Sequence, residues 1–143
     1  MRKIDGHELY AYLISGAKNV VVNEFNLNKI NVFPVPDGDT GTNLSLTMSM
    51  IIQGTQKVQS VSDQISEIAS IALNNAYGNS GMIFAQYLKG LSEAFKEKSA
   101  ISPAELTQGF KTAFEHALAS VSHPKEGTIL TVMKDWADRK SVV

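Results

Sequence analysis

The sequence has no cysteine, so the fold uses no disulfide and no thiolate can act as a nucleophile or a metal ligand. It also has no apolar run near the ~20 residues that a transmembrane helix needs, which predicts a protein without a membrane span. The net charge is only −1, so no overall field attracts nucleic acid. These absences predict one cytoplasmic globular domain, for which 143 residues are enough.

Apolar residues recur at helical spacing in every long segment, which predicts an all-α fold. The β-branched residues 20–22 would also suit a short strand, but no partner strand is evident, and residues 23–31 suit a short helix or a turn. Ser102, Pro103 and Glu105 form the pattern of a capping box with proline at the first helical position. Helices are expected to begin after Asp5, at about Thr42 or Asn43, at about Ser62, after Ser80 as a cap, after Ser102 and near Gly127.

The segment 31–43 combines carboxylates with a helix start. Asp37 and Asp39 are separated by one glycine, and in an extended loop both side chains can reach one hard cation such as Mg²⁺. The small residues Thr40, Gly41, Thr42 and Asn43 follow, where backbone N–H groups at a helix N-terminus favour a phosphate. A metal–nucleotide complex needs both kinds of group side by side.

Two simpler interpretations of this segment stay open. Asp-Gly is a common turn dipeptide, so the pair of carboxylates could belong to an ordinary turn. A calcium-binding EF-hand loop needs glycine at its sixth position and glutamate at its twelfth. Counted from Asp37, those positions hold Thr42 and Met48, which disfavours the calcium loop.

Two further glycine-containing segments resemble the start of the first helix. The first consists of Gly78, Asn79, Ser80 and Gly81, and the second of Gly127 and Thr128. The simpler interpretation of the first segment is an interhelical turn with Ser80 as the N-cap. If the three helix starts point the same way, their dipoles would add at an anionic ligand.

Three motifs together resemble the amino-terminal domain of bacterial fatty acid kinases, which belongs to the dihydroxyacetone kinase L-subunit superfamily. The resemblance extends from about Ile4 to Asp138. Its motifs are Asn31-Val-Phe-Pro-Val-Pro-Asp-Gly-Asp-Thr-Gly-Thr-Asn43, Gly78-Asn-Ser-Gly81 and Glu126-Gly-Thr-Ile-Leu-Thr131.

The resemblance implies an antiparallel helical barrel or bundle that binds ATP or ADP and two Mg²⁺ ions at one end. It implies that Asp37, Asp39 and Asn31 ligate the metal ions. The implied nucleotide-binding residues are Thr40, Gly41, Thr42, Asn43, Gly78, Asn79, Ser80, Gly81, Gly127 and Thr128. The implied reaction transfers the ATP γ-phosphoryl group to a fatty acid carboxylate that a lipid-binding partner protein presents.

The sequence departs from that family at two places. Tyr77 stands where the family usually has an arginine, so a cation that could touch phosphate is absent there. The family's domain also has further helices, so we expect a bundle that is incomplete at its C-terminal end and that forms a homodimer over the open apolar seam. A dihydroxyacetone-kinase-type subunit and a non-catalytic interaction module remain alternatives to the fatty acid kinase.

Overall fold

The computed structural model describes residues 2–29, 40–121, 129–130 and 133–134. The two short ranges at the end are helical, and no helix within the described ranges is both long and apolar enough to cross a membrane. The prediction of a mainly all-α fold is confirmed. The elements are β1 (Ile4–Asp5), α1 (Gly6–Val22), α2 (Glu24–Lys29), α3 (Thr40–Gly54), α4 (Val61–Asn74), α5 (Gly78–Ala94), β2 (Ala100–Ile101) and α6 (Pro103–Ala119).

Two helix starts follow the predicted capping chemistry. The Asp5 carboxylate accepts the Glu8 N–H at 2.9 Å and so caps α1. Ser102 and Glu105 form the capping box of α6, in which each side chain accepts the other residue's backbone N–H. Residues 20–22 continue α1 rather than forming a strand, and α2 is a helix of 6 residues.

The prediction that Ser80 caps the fifth helix is wrong. Helix α5 begins at Gly78, its N-cap is Tyr77, and that cap makes no side-chain hydrogen bond. Gly78 has a φ of +65°, a left-handed conformation that glycine adopts without steric cost, and the helix begins there, three residues before the start that Ser80 as N-cap would give. Helix α3 likewise begins at Thr40, before the predicted start at Thr42 or Asn43.

The core lies where α5 packs between α4 and α6, while α1 packs on α3 and α4. Strands β1 and β2 pair antiparallel, with Ile4 opposite Ile101, and both isoleucines are buried. This pair fixes the beginning of the chain to the turn before α6, and two residues a strand are too few to give a periodic signal. The large side chains that are fully buried include Ile51, Ile65, Ile68, Leu88, Leu91 and Phe95.

Helices α5 and α6 approach each other closely at Gly90, and we expect Gly90→Ala to destabilise the protein. An added Cβ would lie 2.7 Å from the Ala113 Cα and 2.8 Å from the His116 Cβ, so the two helices must separate. Overpacking of this kind costs about 1–3 kcal/mol. Urea unfolding measures the loss as a lower midpoint.

The matched control is Gly16→Ala, because Gly16 is a helical glycine with no neighbouring atom within 4 Å of an added Cβ. Alanine there is expected to stabilise the protein by about 0.5–1 kcal/mol, since it loses less conformational entropy in a helix. Equal shifts in the unfolding midpoint for both variants would contradict the account of the α5–α6 contact.

The Glu105 carboxylate predicts a pH dependence of stability. It pairs with Lys98 at 2.7 Å and Lys3 at 3.3 Å and accepts the Ser102 N–H, and these contacts, with Lys98 the largest cause, lower its pKa from 4.5 to about 2. The charged Glu105 carboxylate therefore stabilises the folded protein above about pH 4.5, and this stabilisation is lost as the pH falls toward about 2. We expect the melting temperature of Glu105→Gln to fall less than that of the wild type across this range. Glu115→Gln, an exposed change on the same helix, should follow the wild type.

Candidate functional site

The first turns of α3 and α5 lie side by side. The Ser80 hydroxyl makes a long hydrogen bond of 3.5 Å to the Thr40 carbonyl oxygen. The structure therefore brings together two of the three segments that the sequence singles out, residues 40–43 and residues 78–81. We call this place the α3–α5 junction and define it as residues 40–43 and 47 of α3 together with residues 77–81.

Two glycines let α5 approach α3 at the junction. A Cβ added to Gly78 would lie 2.1 Å from the Asn43 Nδ2 atom, and one added to Gly81 would lie 2.4 Å from the Thr47 Oγ1 atom. A larger residue at either position would displace the side chain of Asn43 or Thr47, and at position 78 it would also have to adopt a left-handed backbone conformation. The two glycines therefore favour the close approach of the two helix starts.

The hydroxyl of Thr47 joins the two segments inside the protein. Thr47 is fully buried, its Oγ1 donates to the Asn43 carbonyl oxygen at 2.9 Å, and the same atom accepts the Tyr77 N–H at 3.1 Å. Thr47 was not singled out from the sequence. The signal that could have identified it is a hydroxyl within an otherwise apolar helix face, because a buried hydroxyl needs partners.

Helix α2 covers the other side of the first turn of α3. The Thr42 N–H donates to the Asn28 Oδ1 at 3.0 Å, and the Thr42 hydroxyl accepts from the Asn28 Nδ2 at 2.8 Å. The same hydroxyl donates to the Glu24 carboxylate at 3.1 Å. A Cβ added to Gly41 would lie 2.4 Å from the Glu24 carbonyl oxygen, so this contact too depends on a glycine. Sequence reasoning missed Glu24 and Asn28.

The junction suits an anion for reasons of backbone electrostatics. The first N–H groups of a helix have no partner within the helix, and the macrodipole places partial positive charge there. Two such helix starts meet at the junction, where a phosphate would gain from both. The junction as defined contains no lysine, arginine or histidine.

The predicted metal ligands Asn31, Asp37 and Asp39 lie outside the described residues, as do Gly127 and Thr128. Within the ranges that are described, no group of three or more His, Asp or Glu side chains could hold a metal ion.

Two surface clefts occur elsewhere on the described part of the chain. One, of about 270 Å³, lies between α4 and α5, where its lining includes Ser70 and Lys89. The other, of about 320 Å³, lies between α1 and α3, where its lining includes Val21 and Ile52. Neither of these two clefts is lined by a residue of the α3–α5 junction.

Several bacterial proteins are similar to this chain over nearly its whole length. The protein YloV of Bacillus subtilis (strain 168) is 36% identical over 148 residues, which cover 100% of this chain and 26% of YloV. An uncharacterized protein of Staphylococcus saprophyticus is 38% identical over 141 residues, covering 95% of this chain and 25% of that protein. A third, from Staphylococcus aureus (strain USA300), is 39% identical over 140 residues, covering 94% and 25%. The chain thus spans about a quarter of the length of these relatives.

A family match accounts for the motifs and for the helical fold together. Residues 34–141 match the family described as the DAK2 domain. The matched range includes residues 40–43 and 78–81, whose first turns the structure places side by side. The match covers well over half of the 143 residues, and the chain therefore belongs to the DAK2 domain family.

Proposed function

We propose that this chain binds ATP or ADP together with Mg²⁺ at the α3–α5 junction. The observation that carries the proposal is the meeting of two helix N-termini, held together by the Ser80–Thr40 hydrogen bond and by the contacts of Thr47. Such paired helix starts favour phosphate oxygens. Membership of the DAK2 domain family supports a nucleotide-binding module in general.

The chain offers one group of residues suited to the metal ion and another suited to the nucleotide of a metal–nucleotide complex. Asp37 and Asp39 supply carboxylate oxygens and Asn31 an amide oxygen, which are the ligand types that Mg²⁺ takes from proteins. Bound magnesium would neutralise charge on the β- and γ-phosphates. Residues 40–43 and 78–81 would face the phosphates or the sugar, and Gly127 and Thr128 would lie near the nucleotide.

The reaction that we propose is transfer of the ATP γ-phosphoryl group to a fatty acid carboxylate presented by a lipid-binding partner protein in the cytoplasm. The chain would contribute by positioning the phosphates and by stabilising their charge, and no covalent protein intermediate is required. This proposal concerns the whole protein, of which the chain spans about a quarter in the relatives that it matches. The resemblance of the three motifs to fatty acid kinases supports it.

Two alternatives have their own support. A dihydroxyacetone-kinase-type subunit would use the same nucleotide site with another acceptor, and the DAK2 domain match fits it equally. A non-catalytic module is favoured by Tyr77, whose side chain is 44% exposed at the start of α5 and supplies no positive charge. Measuring both phosphoryl transfer and nucleotide binding separates these alternatives.

The proposed homodimer is a separate question, and sedimentation at micromolar concentration tests it.

The proposed metal site predicts that Asp37→Asn and Asp39→Asn each weaken Mg-ADP binding strongly. Each change removes one anionic ligand while keeping the size of the side chain. We expect a loss of about a hundredfold in affinity, or about 2.8 kcal/mol. Isothermal titration calorimetry with Mg-ADP measures it, and circular dichroism should show unchanged helix content.

Asp63→Asn is the matched control, because Asp63 is an exposed aspartate in the first turn of α4, away from the junction. It should bind Mg-ADP as the wild type does. Wild-type affinity in both Asp37→Asn and Asp39→Asn would sink the proposed metal site. The absence of any heat with the wild type would sink the proposed function as a whole.

A further inference from the structure

Helix α2 is held against α3 by polar contacts rather than by a hydrophobic core. None of its six residues is buried. Its backbone nevertheless lies directly on Gly41, where an added Cβ would be 2.4 Å from the Glu24 carbonyl oxygen. Since a short helix with no buried residue has little apolar area to hold it, the hydrogen bonds to α3 must fix its position.

Both the oxygen and the nitrogen of the Asn28 side-chain amide form hydrogen bonds with Thr42. Its Oδ1 accepts the Thr42 N–H at 3.0 Å, and its Nδ2 donates to the Thr42 hydroxyl at 2.8 Å. That hydroxyl in turn donates a hydrogen bond to the Glu24 carboxylate at 3.1 Å. An ionised aspartate offers only acceptors, alanine offers neither group, and serine has a single oxygen, so none of the three replaces both bonds.

Asn28 thereby acts as a cap for α3 that comes from another helix. Thr42 is the third residue of α3, and its N–H is one of the first four that have no partner inside the helix. The first turn of α3 is thus held from two sides, by Asn28 of α2 and by Ser80 of α5, which donates to the Thr40 carbonyl oxygen.

We propose that Asn28 is a positioning residue for nucleotide binding, which acts through Thr42 by fixing the first turn of α3 against α2. The inference rests on the proposed function, because it concerns the same phosphate site. Phosphate recognition by backbone N–H groups depends on their position within about 0.5 Å, so a turn held from only one side binds less tightly. Glu24 supports the arrangement because its carboxylate accepts the hydrogen bond of the Thr42 hydroxyl. The lone pairs of that hydroxyl oxygen are then directed toward Asn28.

The first test is Asn28→Asp, which keeps the shape of the side chain but replaces the Nδ2 donor by an oxygen. The bond that the Asn28 Nδ2 donates is lost, and the single proton of the Thr42 hydroxyl can then serve only one of the carboxylates of residues 24 and 28. We expect Mg-ADP affinity to fall about tenfold. Asn26→Asp is the matched control, because Asn26 is an exposed asparagine on the same helix and the charge change is identical. It should bind as the wild type does.

A second pair of variants separates positioning from a loss of folding. Thr42→Val removes the hydroxyl at nearly constant shape, whereas Thr42→Ser keeps it, so Thr42→Ser should bind Mg-ADP about tenfold more tightly than Thr42→Val. In a double-mutant cycle, Asn28→Ala combined with Thr42→Val should lose less affinity than the two single losses together. Melting temperatures taken in parallel show whether each variant folds.

The outcomes distinguish the two proposals. If the wild type binds Mg-ADP and Asn28→Asp binds as tightly as Asn26→Asp, the positioning proposal is overturned while the proposed function stands. Tighter binding by Asn28→Asp also overturns it, since α2 would then compete with the phosphate. Equal affinities of Thr42→Ser and Thr42→Val would overturn it independently. If the folded wild type does not bind Mg-ADP, the proposed function fails and the inference falls with it.

Discussion

The close approach of α5 to α3, fixed by the buried hydroxyl of Thr47, is the constraint on which the candidate site depends. Thr47 binds the Asn43 carbonyl oxygen within its own helix and the Tyr77 N–H just before α5, so one side chain sets the distance between two helix starts. Gly78 and Gly81 make that distance possible, since a side chain at either would collide with Asn43 or Thr47. This contact, together with the Ser80–Thr40 hydrogen bond, makes one candidate site of the two helix starts.

The helices could be predicted from the sequence because their signals are local. Periodic apolar residues indicated the helical segments, and the capping side chains of Asp5 and Ser102 indicated where two of the helices begin. The start of α5 could not be found in this way, because it is set by the left-handed conformation of Gly78 and by its contact with α3, 35 residues earlier at Asn43. For the same reason Ser80 serves as a donor to Thr40 rather than as a cap.

The candidate site was predictable as a set of motifs but not as a network. Residues 40–43 and 78–81 were singled out because glycine, serine, threonine and asparagine gather at helix starts, and the structure brings these two segments together. The contributions of Asn28 and Glu24 left no local pattern, since their partner Thr42 is 14 and 18 residues away. Such contacts depend on the packing of whole helices. The predicted ligands Asn31, Asp37 and Asp39 lie outside the described residues and stay predictions.

The central claim is that nucleotide phosphates bind where the first turns of α3 and α5 meet. Backbone amide chemical shifts, followed by NMR while Mg-ADP is added to the isotope-labelled chain, test it most directly because they locate the ligand without any mutation. The account predicts the largest shifts at the amides of residues 40–43 and 78–81, with small shifts at Asp63 in the first turn of α4. Saturable shifts centred elsewhere, for example on the cleft lined by Ser70 and Lys89, or no shifts at millimolar Mg-ADP, would contradict it.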